Sequence, residues 1–113
     1  MEPIDVAAFE ALVADALEEI PDELRAEMEN VAIIIDAESP PGRLYGIYEG
    51  IPLTSRGTYV GVSPDRITLF LATICRSART LDELADRVRV TVLHEVGHHF
   101  GIGEARLHEL GWT

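Results

Sequence analysis

Five consecutive residues, His94-Glu95-Val96-Gly97-His98, carry the most legible chemistry in this 113-residue chain. On a helix, four residues make about one turn, so both imidazoles leave one face and their nitrogens come close enough to share a cation. Tetrahedral zinc accepts such a pair, and Glu95, beside the first histidine, reaches a water on that cation. A chain with 4 His and 13 Glu contains H-E-x-x-H by chance in roughly one or two of every hundred cases, and in about one of a thousand with a Gly three residues later. That Gly is Gly101. The competing reading is two solvent-facing histidines on an amphipathic helix.

A catalytic zinc commonly takes three protein ligands and one water. The candidates after His98 are Glu104, His108 and Glu109. If Gly101 lets the chain leave the helix and fold back, the residue ten positions after His94 returns toward the metal, as in the H-E-x-x-H-x-x-G-x-x-H pattern. That residue is Glu104. His99 lies about 100° around the helix from His98, off the metal face, and suits a structural or surface role. His108 is open among three readings: a hydrogen-bond partner of a ligand, a donor to the transition state, or an exposed residue.

The elements that must position these residues follow from periodicity. Asp5 caps a helix whose Val6, Phe9, Val13, Leu17 and Ile20 share one face, and Pro21 starts a short second helix through Met28. Val31–Ile35 reads as a buried strand, Leu44–Tyr48 as a second, and Arg66–Leu71, with Ile67, Leu69 and Leu71 alternating, as a third. Residues 50–64, rich in Gly and Pro, read as a long loop with a brief extended piece at Tyr59-Val60. Thr80-Leu-Asp-Glu83 is a capping box for a helix running through Leu84, Val88, Val92 and Val96 to Phe100, which Gly101 stops. A last helix covers Glu104 to Leu110 and closes at Gly111. The fold class expected is α+β, one domain over residues 1–113, with a small mixed sheet covered by helices.

Composition excludes several partners. With 20 acidic residues, nine Arg and no Lys, the net charge is −11, so nucleic acid and anionic membrane are not expected partners. Residues 1–49 carry 13 carboxylates against Arg25 and Arg43, an acidic cover over a neutral second half. No apolar stretch reaches membrane-span length, and the acidic N-terminus is unlike a signal peptide, so a cytoplasmic protein is expected. Cys75, the single cysteine, reads as a reduced core residue.

The segment from His94 through Leu110-Gly111-Trp112 resembles the signature of the minimal zincin-like metallopeptidases, or mini-zincins. Leu44–Thr54 and Pro64–Phe70 are similar to family segments as well, so the likeness covers nearly the whole chain. It implies a stripped-down zincin catalytic half, with the metal helix packed under a small sheet, and zinc-dependent peptide hydrolysis. The family pattern favours Asp where this chain has Glu104, and the chain has no Met after Met28 to form the Met-turn of metzincins. The implied site holds one Zn2+ per chain on His94, His98 and Glu104, with Glu95 as general base. A peptide or protein substrate would lie along the Arg66–Leu71 strand as a sheet edge, with Tyr45, Tyr48, Tyr59 and His108 as candidate oxyanion donors. The missing second half of a larger zincin points to shallow specificity, to short or partner-presented peptides, or to a cleft completed by a second copy or a partner subunit. Two other classes stay open: a zinc-binding scaffold that does not cleave, and an acidic interaction domain without metal.

Overall fold

A computed structural model describes residues 1–28, 30–50 and 65–113. The elements run α1 (Val6–Glu18), α2 (Asp22–Ala26), β1 (Val31–Asp36), β2 (Gly46–Glu49), β3 (Asp65–Phe70), α3 (Leu71–Arg76), α4 (Leu81–His99) and α5 (Glu104–Leu110). The α+β class holds, and the proposed loop piece at Tyr59-Val60 lies outside the described residues.

The sheet is ordered β1-β3-β2, with β1 parallel and β2 antiparallel to β3. Two sequence expectations change here. The Arg66–Leu71 strand is central rather than an edge: its backbone is hydrogen-bonded on both sides and cannot receive another strand. Among the described residues the edges belong to β1 and β2. Val31–Ile35, expected to be buried, is half-exposed, with Ile34 at 39%. Its outward side chains, Ala32 and Ile34, lie on the same sheet face as the exposed Arg66 of β3 and stay in solvent.

Alternation sorts β3 into an inward set, Asp65, Ile67 and Leu69, and an outward set beginning with Arg66. Ile33, Ile67 and Tyr48 lie in one inward row, Ile35, Leu69 and Gly46 in the next. Against these rows pack Phe9, Val13 and Ala16 of α1 and Leu84, Val88, Val92 and Val96 of α4, all buried. The third strand stops one residue early, because Leu71–Arg76 is a helix that buries Leu71, Thr73, Ile74 and Cys75. Cys75 is a core residue, as expected.

α4 begins as its sequence requires. Thr80 Oγ1 accepts from Glu83 N at 3.1 Å, and Glu83 Oε2 accepts in return from Arg79 N at 3.0 Å. It ends at a left-handed Gly101 (φ 76°), where Gly101 N donates to His98 O and Ile102 N donates to Gly97 O, the paired bonds of a Schellman turn. α5 closes in the same way: Gly111 has φ 77°, its N–H donates to His108 O, and Trp112 N–H donates to Leu107 O. Two copies of one helix-ending turn thus fold α5 and the following residues back along α4.

Gly97 admits that return. A Cβ there would stand 2.3 Å from Leu107 Cδ2 and 3.6 Å from Trp112 Cε3, and Leu107 is fully buried. Gly97→Ala should gain about 1 kcal/mol of helix propensity but lose more to overpacking, which commonly costs about 1–3 kcal/mol. We expect net destabilisation in urea unfolding. In a Leu107→Ala background the same change should become neutral or stabilising; an equal loss in both backgrounds would contradict the packing account.

Candidate metal centre

The histidines project from the last two turns of α4. Their rings sit 4.6 Å apart, centroid to centroid, at 70° to one another. His94 Nδ1 lies 2.9 Å from Trp112 O. A carbonyl only accepts, so Nδ1 carries the proton and Nε2 keeps its lone pair for a metal. His98 Nδ1 lies 3.1 Å from Glu95 Oε1, and its Nε2 lies 3.0 Å from Glu104 Oε1.

Glu104 opens α5, directly after Gly103 caps it. Its Oε1 lies 3.6 Å from His94 Nε2 as well as 3.0 Å from His98 Nε2. Donors about 2.0–2.1 Å from a tetrahedral zinc stand about 3.3 Å from one another, so both separations fall near the edge of such a tetrahedron. The hydrogen bond to His98 holds the Glu104 carboxyl below its ordinary value, overcoming an opposing desolvation effect. The anionic form is the one that ligates a cation.

Glu95 is buried, and His94, Glu95 and His98 each offer one donor atom within 4.8 Å of the others. Beside them opens a cavity of about 280 Å³ lined by His94, Glu95, Glu104, Tyr45 and Val90 among others. Its other wall is the start of β2, brought in by Gly46: a Cβ there would meet Thr91 Cγ2 at 3.0 Å, Thr68 O at 3.1 Å and Glu95 Cγ at 3.4 Å. A larger residue at 46 would push the strand off the helix at the level of the general-base candidate.

His99 points the other way, as its position on the helix predicts. It is 1% exposed rather than at the surface, with Nδ1 at 2.9 Å from Asp65 Oδ2. The Tyr48 hydroxyl donates to the same oxygen at 2.6 Å. This buried group ties the end of α4 to the start of β3 and to β2. Among the described residues His99 Nε2 is buried with no hydrogen-bond partner, a cost of about 1–3 kcal/mol that the surrounding packing must offset.

Of the residues singled out from the sequence, the structure brings His94, Glu95, His98 and Glu104 together. His108 is exposed, with Nδ1 3.3 Å from Thr113 Oγ1, and does not line the cavity. Among the oxyanion candidates Tyr45 lines the cavity, the Tyr48 hydroxyl is turned to Asp65, and Tyr59 lies outside the described residues. Sequence reasoning missed Asp65 and the Trp112 carbonyl. The inward alternation Asp65-Ile67-Leu69 was a signal for the first, and Gly111, repeating the role of Gly101, for the second.

A small mixed sheet resting on a helix with paired histidines, followed by a short returning helix, is the architecture of a zincin-type domain. The chain belongs to the zincin-like metallopeptidase family, whose pattern matches residues 13–112. Its fold is similar to that of a conserved hypothetical protein from T. thermophilus at 21% identity, covering 95% of this chain and 97% of that one with a TM-score of 0.59. No curated protein matches the chain. Among the described residues, no helix is long and apolar enough to cross a membrane.

The Trp112 carbonyl can be tested apart from the Trp112 ring. Deleting residues 112–113 should weaken metal binding by roughly 10- to 100-fold, the usual effect of losing a partner that orients a ligand histidine. Trp112→Ala keeps the carbonyl and should lower the melting temperature while preserving most of the affinity. Chelator competition on both variants checks this; equal affinity losses would mean that the ring, not the carbonyl, holds His94.

Proposed function

We propose that the chain is a zinc-dependent peptidase with one zinc held by His94, His98 and Glu104. The observation that carries the reading is the convergence of two imidazole Nε2 atoms on one Glu104 oxygen, at 3.6 and 3.0 Å, beside a cavity that also reaches Glu95. Structural zinc sites are closed by four protein ligands, whereas catalytic sites keep one position open. Three donors facing a cavity fit the second kind.

Zinc bound there would supply Lewis acidity to a water and to the scissile carbonyl. Glu95 takes the proton of the attacking water and returns it to the departing amine. Its hydrogen bond with His98 and its packing beneath Gly46 fix the carboxylate for that transfer. The substrate lies extended along residues 43–46, which border the cavity, and not along β3. Leu44 at 56% and Tyr45 at 41% exposure offer it apolar contact. Tyr45 is the preferred oxyanion donor, since it lines the cavity. The substrate is a peptide or an unfolded protein segment, because an open site on so small a chain selects little by shape. A second copy or another subunit would cover what this chain leaves open.

Freshly purified protein should hold about one zinc per chain. Glu104→Ala should weaken zinc by more than roughly a hundredfold, beyond what loss of an orienting partner causes, while His108→Ala and Glu109→Ala stay close to wild type. Glu95→Gln should keep zinc and fold and abolish cleavage of a peptide library, because the amide has no useful basicity. Zinc without cleavage by wild type would favour the non-catalytic scaffold; no zinc at all would overturn both readings.

A further inference from the structure

Arg43 lines the same cavity as His94, Glu95 and Glu104. It also lines a neighbouring hollow of about 200 Å³ with Pro40, Leu44, Phe70 and Thr73. It therefore stands where the groove beside the metal centre passes from one depression to the next. In a chain of 20 carboxylates, Arg25, Arg87, Arg89 and Arg106 each lie within ion-pair distance of one. Among the described residues Arg43, like Arg66, Arg76 and Arg79, has no such partner, and of these four Arg43 is the one that lines the cavity. The two carboxylates that share its cavity are engaged elsewhere, Glu95 with His98 and Glu104 with His98 and His94.

The backbone on either side of Arg43 is fixed. Gly42 N donates to Thr73 Oγ1 at 2.9 Å, and Arg76 Nη2 donates to Gly42 O at 3.1 Å. Tyr45 O accepts from Phe70 N at 2.9 Å. Thus α3 and the end of β3 brace residues 42–45, a segment in which Arg43 lines the groove and has no ion-pair partner among the described residues. A guanidinium presents a planar fork of donors that matches a carboxylate with two parallel hydrogen bonds, and it disfavours a cationic side chain at the same place.

We infer that Arg43 is a specificity determinant that engages a carboxylate of the bound peptide, supplied by its C-terminus or by an Asp or Glu side chain. The inference rests on the peptidase reading and names its substrate class: short peptides with a negative charge within a few residues of the scissile bond. Residues 42–45 are braced to place that charge. The net negative charge of the protein works against such peptides at long range, so the preference is a contact effect and should persist at physiological salt, where the screening length is about 8 Å.

The test uses zinc-loaded Glu95→Gln protein, which binds without turnover, and fluorescent peptide pairs differing only in charge. One pair compares a free C-terminal carboxylate with its amide; the other compares an internal Glu with Gln in amidated peptides. We expect the carboxylate member of at least one pair to bind roughly tenfold tighter or more, the size of a charge-assisted contact, and the pair that responds identifies the source of the charge. Adding Arg43→Gln should erase that difference with zinc content unchanged, and Arg43→Lys should restore part of it. Binding of all four peptides with no charge preference, a preference for cationic peptides, or a difference that survives Arg43→Gln would overturn the inference and leave the peptidase reading standing. Absence of zinc, or of any peptide binding, would overturn both.

Discussion

The candidate metal centre depends on one close contact, that of α5 against α4 at Gly97. Because that position lacks a side chain, Leu107 seats directly on the metal helix. The reversal is enforced from both ends by the same device, a left-handed glycine whose turn satisfies the last carbonyls of a helix. The first turn sets Glu104 beside the two histidine Nε2 atoms; the second sets the Trp112 carbonyl under His94 Nδ1. One packing contact thus fixes the Glu104 carboxylate on one side of the site and the tautomer of His94 on the other.

The opposite wall is held by different means. Gly46 brings β2 close to Glu95, and the buried Asp65 accepts hydrogen bonds from both His99 and Tyr48. Adjacent histidines on one helix therefore have separate tasks: His98 faces the cluster of donors, while His99 fastens the same turn to the sheet. A polar anchor inside a small core costs desolvation, and its hydrogen bonds join α4, β2 and β3 at one position.

What could be read from the sequence was local. The spacing of His94, Glu95 and His98, the Thr80–Glu83 cap, and the stops at Gly101 and Gly111 act within a few residues of themselves, and the chain carries them out as written. The return of Glu104 was legible for the same reason. Strand order was not, because the placement of β3 between β1 and β2 is settled by pairing across the chain. The helix α3 was hidden in an apolar run that continues from β3 without a turn residue, where strand and buried-helix periodicities coincide. Gly97 and Gly46 carry no local signal in the sequence, since their reasons lie in Leu107, Thr91 and Thr68. Arg43 looked like one of two cations in an acidic half until its surroundings were known.

The central claim is that two imidazoles and one carboxylate are arranged in advance for a four-coordinate cation. X-ray absorption at the zinc edge on loaded protein tests it most directly. The account predicts four nitrogen or oxygen neighbours at about 2.0–2.1 Å, with the outer-shell scattering of two imidazoles. A sulfur neighbour near about 2.3 Å, or a six-coordinate oxygen shell with fewer than two imidazoles, would contradict it.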